Sequence, residues 1–380
     1  MTHGPARFKL DAVSDTTEEQ GSLVDLDGRA GRRAAALSRR ELLRGGVVAA
    51  ASAVASGATT GCEPADVDPL GAVVYPRALQ AGDRVRVVAP ARPGDARLER
   101  GIELLESFGL VVELGAHVYD SYGYLAGTDA DRLEDLNAAF RDPGVRCVFG
   151  ARGGYGTQRI IDGLDVEAVR RDPKIFIGFS DLTCLHGKLW RAAGLVSFYG
   201  PLATWSDART GPDSVESLRK ALMTTEPILL MRDPDEPSAA VKIAGNASGT
   251  ATGPLLGGNL TLVETGLGTG DFPSLEGAIF LFEDTGEAPY SYDRMLTQLL
   301  RSGALDGIAG VAIGQFDLAN GAAGEWTAAQ AVSDRLEDLG VPVLGGLRIG
   351  HGQGQLTVPL GARATIDTSA GTLTLEPGVS

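Results

Sequence analysis

Between residues 85 and 193, short apolar runs rich in β-branched residues alternate with longer segments whose apolar residues recur at helical spacing. Residues 85–89, 111–114, 145–149 and 174–179 read as strands. Between them, 97–108 puts Leu98, Ile102, Leu105 and Phe108 on one helical face and stops at Gly109. Residues 128–140 do the same with Leu133, Leu136 and Phe140. From Leu182 the period is helical again, with Leu185, Leu189, Trp190 and Ala193 on one side. Strands joined by helices pair in parallel, because each helix carries the chain back across the sheet. The segment is therefore expected to form a doubly wound α/β domain.

In such a sheet, functional loops lie at the carboxyl ends of the strands. Two loops qualify: Arg152-Gly153-Gly154-Tyr155-Gly156 after the third strand, which opens another helix, and Ser180-Asp181 after the fourth. The glycine loop is no dinucleotide fingerprint, since its spacing is G-G-x-G and it follows the third strand. Ser180 stands where a strand turns sharply into a helix. One reading is a helix cap, the commoner use of serine there. The other is a nucleophile elbow that pushes the hydroxyl out over the sheet edge. N–H groups of Gly153, Gly154 and Asp181 would then face a developing oxyanion.

Past residue 200 the texture changes. Residues 212–224 are helical, and 225–254 shift towards Pro, Asp, Gly and Ser, a linker with one strand near 241–244. Residues 253–260 lead into a helix. Strands follow at 277–282, 307–315 and 342–344, helices at 292–302 and 327–339, and short strands at 355–359, 363–367 and 372–376. The expectation is a C-terminal α+β domain with a small, partly antiparallel sheet. The domains divide as leader 1–62, tether 63–78, N-terminal domain 79–230, linker 231–254 and C-terminal domain 255–380.

A serine nucleophile needs a base, and a third group to orient that base. Of the four histidines, His3 lies in the leader, His117 has no candidate group near it in sequence, and His186 reads as packing or surface. His351 sits between Gly350 and Gly352 in a loop after a strand, where glycines allow close approach; a plain turn residue is the other reading. For the orienting carboxylate, Phe280-Leu281-Phe282-Glu283-Asp284 offers Glu283 first and Asp284 second. The other reading is a hydrated pair at a strand end. The order Ser, Glu, His is that of α/β-hydrolases, with base and partner from a different domain.

The net charge of −15 argues against a nucleic-acid partner and leaves small or cationic substrates open. The three cysteines, Cys62, Cys147 and Cys184, form no metal-ligand pattern, and no cofactor is expected. Residues 1–37 read as a disordered leader. Arg39 and Arg40 before the uncharged run 45–61 resemble a twin-arginine export signal, and the run is too short and too rich in Ala, Gly and Ser for a membrane span. Cys62 at its end resembles the lipid-modified cysteine of bacterial lipoproteins, although Thr59 departs from the usual large aliphatic residue. Export to the cell envelope is expected, with membrane contact only through a lipid on Cys62.

Taken together, R-G-G-Y-G at 152–156, I-G-F-S-D-L-T at 177–183, F-Y-G-P at 198–201, G-G-N-L at 257–260, F-L-F-E-D at 280–284 and I-G-H-G at 349–352 resemble the LD-carboxypeptidase family of serine peptidases. That family includes the microcin C immunity-type peptidases. The resemblance spans roughly residues 79–377. It implies Ser180 as nucleophile, His351 as base and Glu283 as its orienter, with oxyanion N–H groups from Gly153 or Gly154 and Asp181. It also implies no metal, a homodimer, and release of terminal D-alanine from murein tetrapeptide. The immunity-type branch instead cleaves peptidyl or aminoacyl nucleotide conjugates, and a non-catalytic cell-surface binding lipoprotein is a third expectation. For the substrate carboxylate, Arg152, Arg209 and Arg294 remain open.

Overall fold

The computed structural model describes residues 72–207, 209–243, 249–316 and 325–380. The leader with its paired arginines, His3, Cys62 and the start of the tether lie outside the described residues.

The first half alternates as its periodicity predicts: β1 (Arg84–Val88), α1 (Arg97–Ser107), β2 (Val111–Leu114), α2 (Asp129–Arg141), β3 (Val145–Gly150), α3 (Val166–Arg171), β4 (Ile175–Gly178), α4 (Thr183–Ala193) and β5 (Ser197–Tyr199). β2, β1, β3, β4 and β5 lie side by side in that order, all parallel. Helix starts have local causes. Thr128 caps α2 through a capping box with Asp131, which satisfies donors that the first turn leaves open. Gly194, left-handed, ends α4.

The second half runs α5 (Pro212–Met223), β6 (Ile228–Met231), β7 (Thr250–Asn259), α6 (Leu260–Thr265), β8 (Ile279–Asp284), α7 (Pro289–Ser302), β9 (Gly310–Phe316), α8 (Ala328–Leu336), β10 (Val343–Leu344), β11 (Val358–Leu360), β12 (Arg363–Asp367) and β13 (Thr372–Leu375). Its sheet has seven strands in the order β10-β9-β8-β7-β12-β13-β6. The first four are parallel and the rest antiparallel, so the mixed character read from the sequence is present.

Several details differ from the sequence reading. β6 lies partly in the segment read as a linker and pairs with β13. It alternates buried Ile228 and Leu230 with exposed Leu229 and Met231, the pattern of a half-covered edge strand. Residues 241–243 form no strand. Residues 250–259 are a strand, with only a short helix after it. The glycine loop opens into two 3-10 turns, Thr157–Arg159 and Ile161–Gly163, before α3. β11 leaves the C-terminal half and pairs antiparallel with β5 in the first sheet. Residues 72–78, within the expected tether, are docked: Val74 exchanges backbone hydrogen bonds with Gly194 and Val196.

One apolar cluster runs from the first sheet into the second, taking in Ile177, Phe179 and Tyr199 together with Leu281, Ile349 and Val358. This continuity fixes the carboxyl end of β4 against that of β8, because a close-packed interior admits little sliding. No helix among the described residues is long and apolar enough to cross a membrane.

Candidate active site

Ser180 directly follows β4, in a 3-10 turn that precedes α4. Its φ is 64°, the one positive value among non-glycine residues described. An L-residue held there costs about 1–3 kcal/mol and persists only where neighbours enforce it. The hydroxyl does not cap the helix. It lies 3.0 Å from His351 Nε2, and His351 Nδ1 lies 2.6 Å from Glu283 Oε2. A carboxylate only accepts, so Nδ1 carries the proton and Nε2 is left to accept from the serine. The His351 ring also packs on Phe179, centroids 4.7 Å apart.

Glu283 is fully buried. Its second oxygen accepts from the Tyr199 hydroxyl at 2.7 Å and from Asn259 Nδ2 at 3.4 Å. The same Tyr199 hydroxyl accepts the N–H of Ser180 at 3.3 Å, so one phenol joins the strained turn to the carboxylate. Burial and the neighbouring Glu283 charge push the Tyr199 hydroxyl well above its ordinary pKa and keep it a donor. Asp284, the second candidate, turns away from the histidine. It accepts from Asn259 Nδ2 (2.9 Å), Thr261 N (2.9 Å), Thr261 Oγ1 (2.8 Å) and Thr285 N (2.8 Å). Burial, then the charge of Glu283, raises its carboxyl pKa.

The histidine loop is fastened from β9. Gln315 Nε2 donates to the Gln353 carbonyl at 2.9 Å, and the Gly352 N–H donates to Gln315 Oε1 at 3.0 Å. At Gly350, φ is 122° and a Cβ would come within 2.4 Å of Glu283 Oε2, so any side chain would collide with the carboxylate.

Of the expected oxyanion residues, Gly153 lies against the serine. A Cβ on Gly153 would lie 3.2 Å from Ser180 Oγ, which puts its backbone against the hydroxyl. Gly154, φ 119°, lies under the stem of Arg92, whose Cδ would be 2.6 Å from a Cβ there. Asp181 sends its buried carboxylate back to the glycine loop, accepting from Thr157 N (2.9 Å) and Thr157 Oγ1 (2.6 Å). Burial raises its pKa despite these donors.

The other two described histidines stand apart. His117 pairs with Asp120 at 2.7 Å. His186 is buried, 2.7 Å from Ser197 Oγ and 3.0 Å from the Gly178 carbonyl.

A cleft of about 400 Å³ opens above Ser180 and His351. Arg92, Arg97, Arg152 and Arg209 line it and no carboxylate does. The chain sums to −15, yet the cleft itself favours anions. Arg294, one of the three arginines left open, is not among the lining residues. Arg92 and Arg97, which the sequence reading passed over, are. Their place just beyond β1, at a strand's carboxyl end, was the available signal.

Residues 85–200 match the LD-carboxypeptidase N-terminal domain, and 252–366 the LD-carboxypeptidase C-terminal domain. The chain belongs to the LD-carboxypeptidase family. It is a serine carboxypeptidase, a hydrolase. A Bacillus subtilis protein named as a murein peptide carboxypeptidase is 39% identical over 313 residues, covering 80% of this chain and 95% of its own. The murein tetrapeptide carboxypeptidase of Pseudomonas aeruginosa is 32% identical over 289 residues, covering 75% and 93%. The fold matches that of the microcin C7 self-immunity protein in complex with aspartyl sulfamoyl adenosine, at TM-score 0.71 and 24% identity, over 81% of this chain and 100% of that one. As a family member with carboxypeptidase relatives, the chain is an enzyme and not a binding protein that has lost catalysis.

Proposed function

We propose that this LD-carboxypeptidase releases the terminal D-alanine of murein tetrapeptides by hydrolysing the bond between an L-centre and the D-residue, through an acyl-enzyme on Ser180. The hydrogen-bonded chain from Ser180 through His351 to Glu283, at the floor of an arginine-lined cleft, carries this reading. Ser180 Oγ attacks the scissile carbonyl while its proton passes to His351 Nε2, and Glu283 holds the ring and balances its charge. N–H groups of Gly153, Gly154 and Asp181 take the oxyanion. His351 then gives its proton to the departing amine. Water, deprotonated by the same imidazole, cleaves the ester and restores the serine.

The likeness to an immunity protein complexed with an aminoacyl nucleotide analogue supports a second reading, hydrolysis of such conjugates. Trp205 would be the natural base platform, yet it is 3% exposed and its Nε1 donates to Asp207 at 3.1 Å, so it forms wall rather than shelf. The paired arginines and Cys62 support export and lipid anchoring in the cell envelope, and family likeness supports a homodimer. Radiolabelled palmitate on the parent and not on Cys62→Ala checks the anchor. Sedimentation checks the dimer.

The decisive experiment incubates the purified protein with murein tetrapeptide and, separately, with aspartyl sulfamoyl adenosine, and reads product masses. Free D-alanine is expected from the first. Ser180→Ala should lose turnover by roughly four orders of magnitude or more while still binding peptide. Full retention of activity in Ser180→Ala sinks the mechanism.

A further inference from the structure

Gln355 lies between the histidine loop and β11. It lines the cleft and is 1% exposed, yet its Nε2 has no hydrogen-bond partner. A buried donor left unpaired opposes folding, and such groups are rare in native proteins unless something outside the chain completes them. The neighbouring residue, Gly354, donates its N–H to the Arg209 carbonyl at 2.7 Å, which places Arg209 beside Gln355. No carboxylate partners the Arg209 guanidinium among the described residues. The nearby acids are already taken. Asp207 accepts from Trp205 Nε1 and Arg100, and Asp213 pairs with Arg348 at 3.1 Å.

The surrounding field has the same sign. Of the four lining arginines, Arg97 and Arg152 share Asp95, at 2.6 and 3.2 Å. Four guanidiniums against that single carboxylate leave three positive charges unneutralised around the cleft. An oxygen with lone pairs and a negative charge satisfies both the amide donor and the guanidinium.

We propose that Gln355 Nε2 and the Arg209 guanidinium form a subsite for a carboxylate of the peptide substrate, and that this subsite sets the enzyme's preference for acidic peptides. The inference rests on the carboxypeptidase reading for the identity of the peptide, but not for its test. One carboxylate oxygen accepts from the amide and the pair accepts from the guanidinium. A carboxamide at the same place would present an N–H₂ to two donors and be rejected.

The test uses Ser180→Ala protein, so that binding is measured without turnover, and titrates three synthetic ligands by calorimetry. These are murein tetrapeptide, the same peptide ending in a carboxamide, and the peptide with its side-chain carboxylates amidated. The amidated ligand that loses affinity identifies which carboxylate occupies the subsite. Adding Arg209→Ala or Gln355→Leu should weaken the free peptide by roughly tenfold to a hundredfold and leave that amidated ligand unchanged. Gln355→Leu should also unfold at a temperature no lower than its parent, because it removes an orphaned donor. Equal affinity for all three ligands overturns the subsite, as does unchanged binding in both variants. Weak binding of every ligand together with a lowered unfolding temperature would make Gln355 a structural residue and overturns it too. D-alanine release by the wild-type protein is scored separately. Its absence would remove the carboxypeptidase reading while the binding comparison still stands.

Discussion

Tyr199→Phe tests the link between the nucleophile turn and the buried carboxylate. The phenol donates 2.7 Å to Glu283 and accepts 3.3 Å from the Ser180 N–H. Removing one oxygen leaves a buried carboxylate oxygen with only the 3.4 Å contact from Asn259, and leaves an N–H in a strained turn without that acceptor. A hydrogen bond to a charged group contributes about 1.5–3 kcal/mol, and an orphaned buried N–H costs about 1–3 kcal/mol. Were the charged bond alone lost from the transition state, kcat would fall roughly tenfold to a hundredfold. The ring itself stays, so its packing against Phe179 and His186 should survive and KM should change little. The assay is steady-state D-alanine release, with kcat and KM separated and the melting temperature measured alongside. A kcat within about twofold of the parent would refute the link. So would a loss of stability with kcat unchanged, which would make the hydroxyl a structural bond only.

Two further outcomes follow from the same geometry. Gly350→Ala should displace the Glu283 oxygen that His351 uses, since its Cβ would come within 2.4 Å, and should lower kcat on the order of a hundredfold. Gly286→Ala, where φ is also positive (74°) but no atom lies within 4 Å of a Cβ, should cost stability and leave kcat near the parent value. His186 is held neutral by burial, its pKa pushed down to about 4. Unfolding restores the ordinary value of about 6.5, so between those values the unfolded chain binds a proton that the native protein refuses. The stability is fully present above about pH 6.5 and is lost as pH falls towards 4, by up to about 3 kcal/mol. Denaturant titrations across that window should show a shallower slope in His186→Gln, and identical slopes would contradict the assignment.

Periodicity and residue chemistry were enough to read the local elements and the reactive groups they carry. The period of Leu182, Leu185, Leu189 and Trp190 set the helix after Ser180. The alternation of strand and helix from residue 85 set a parallel sheet, and with it the strand ends where Gly153 and Ser180 lie. Periodicity records which face of a segment is buried, not what covers it. Hence β6, short and followed by Pro and Asp, passed for linker, and β11 gave no sign that it would cross to pair with β5. No local pattern in the residues brings Ser180 to an imidazole 171 residues away, for which the sequence offered only family resemblance, or carries Tyr199 to Glu283 across 84 residues, which the sequence did not foreshadow. Those contacts depend on one apolar cluster shared by two sheets, which no local pattern encodes. Charge divides in the same way. The chain sums to −15, while four arginines gathered from distant segments line the cleft. A sum over residues has no geometry, whereas a field in a cleft depends on which charges stand close and which are already paired.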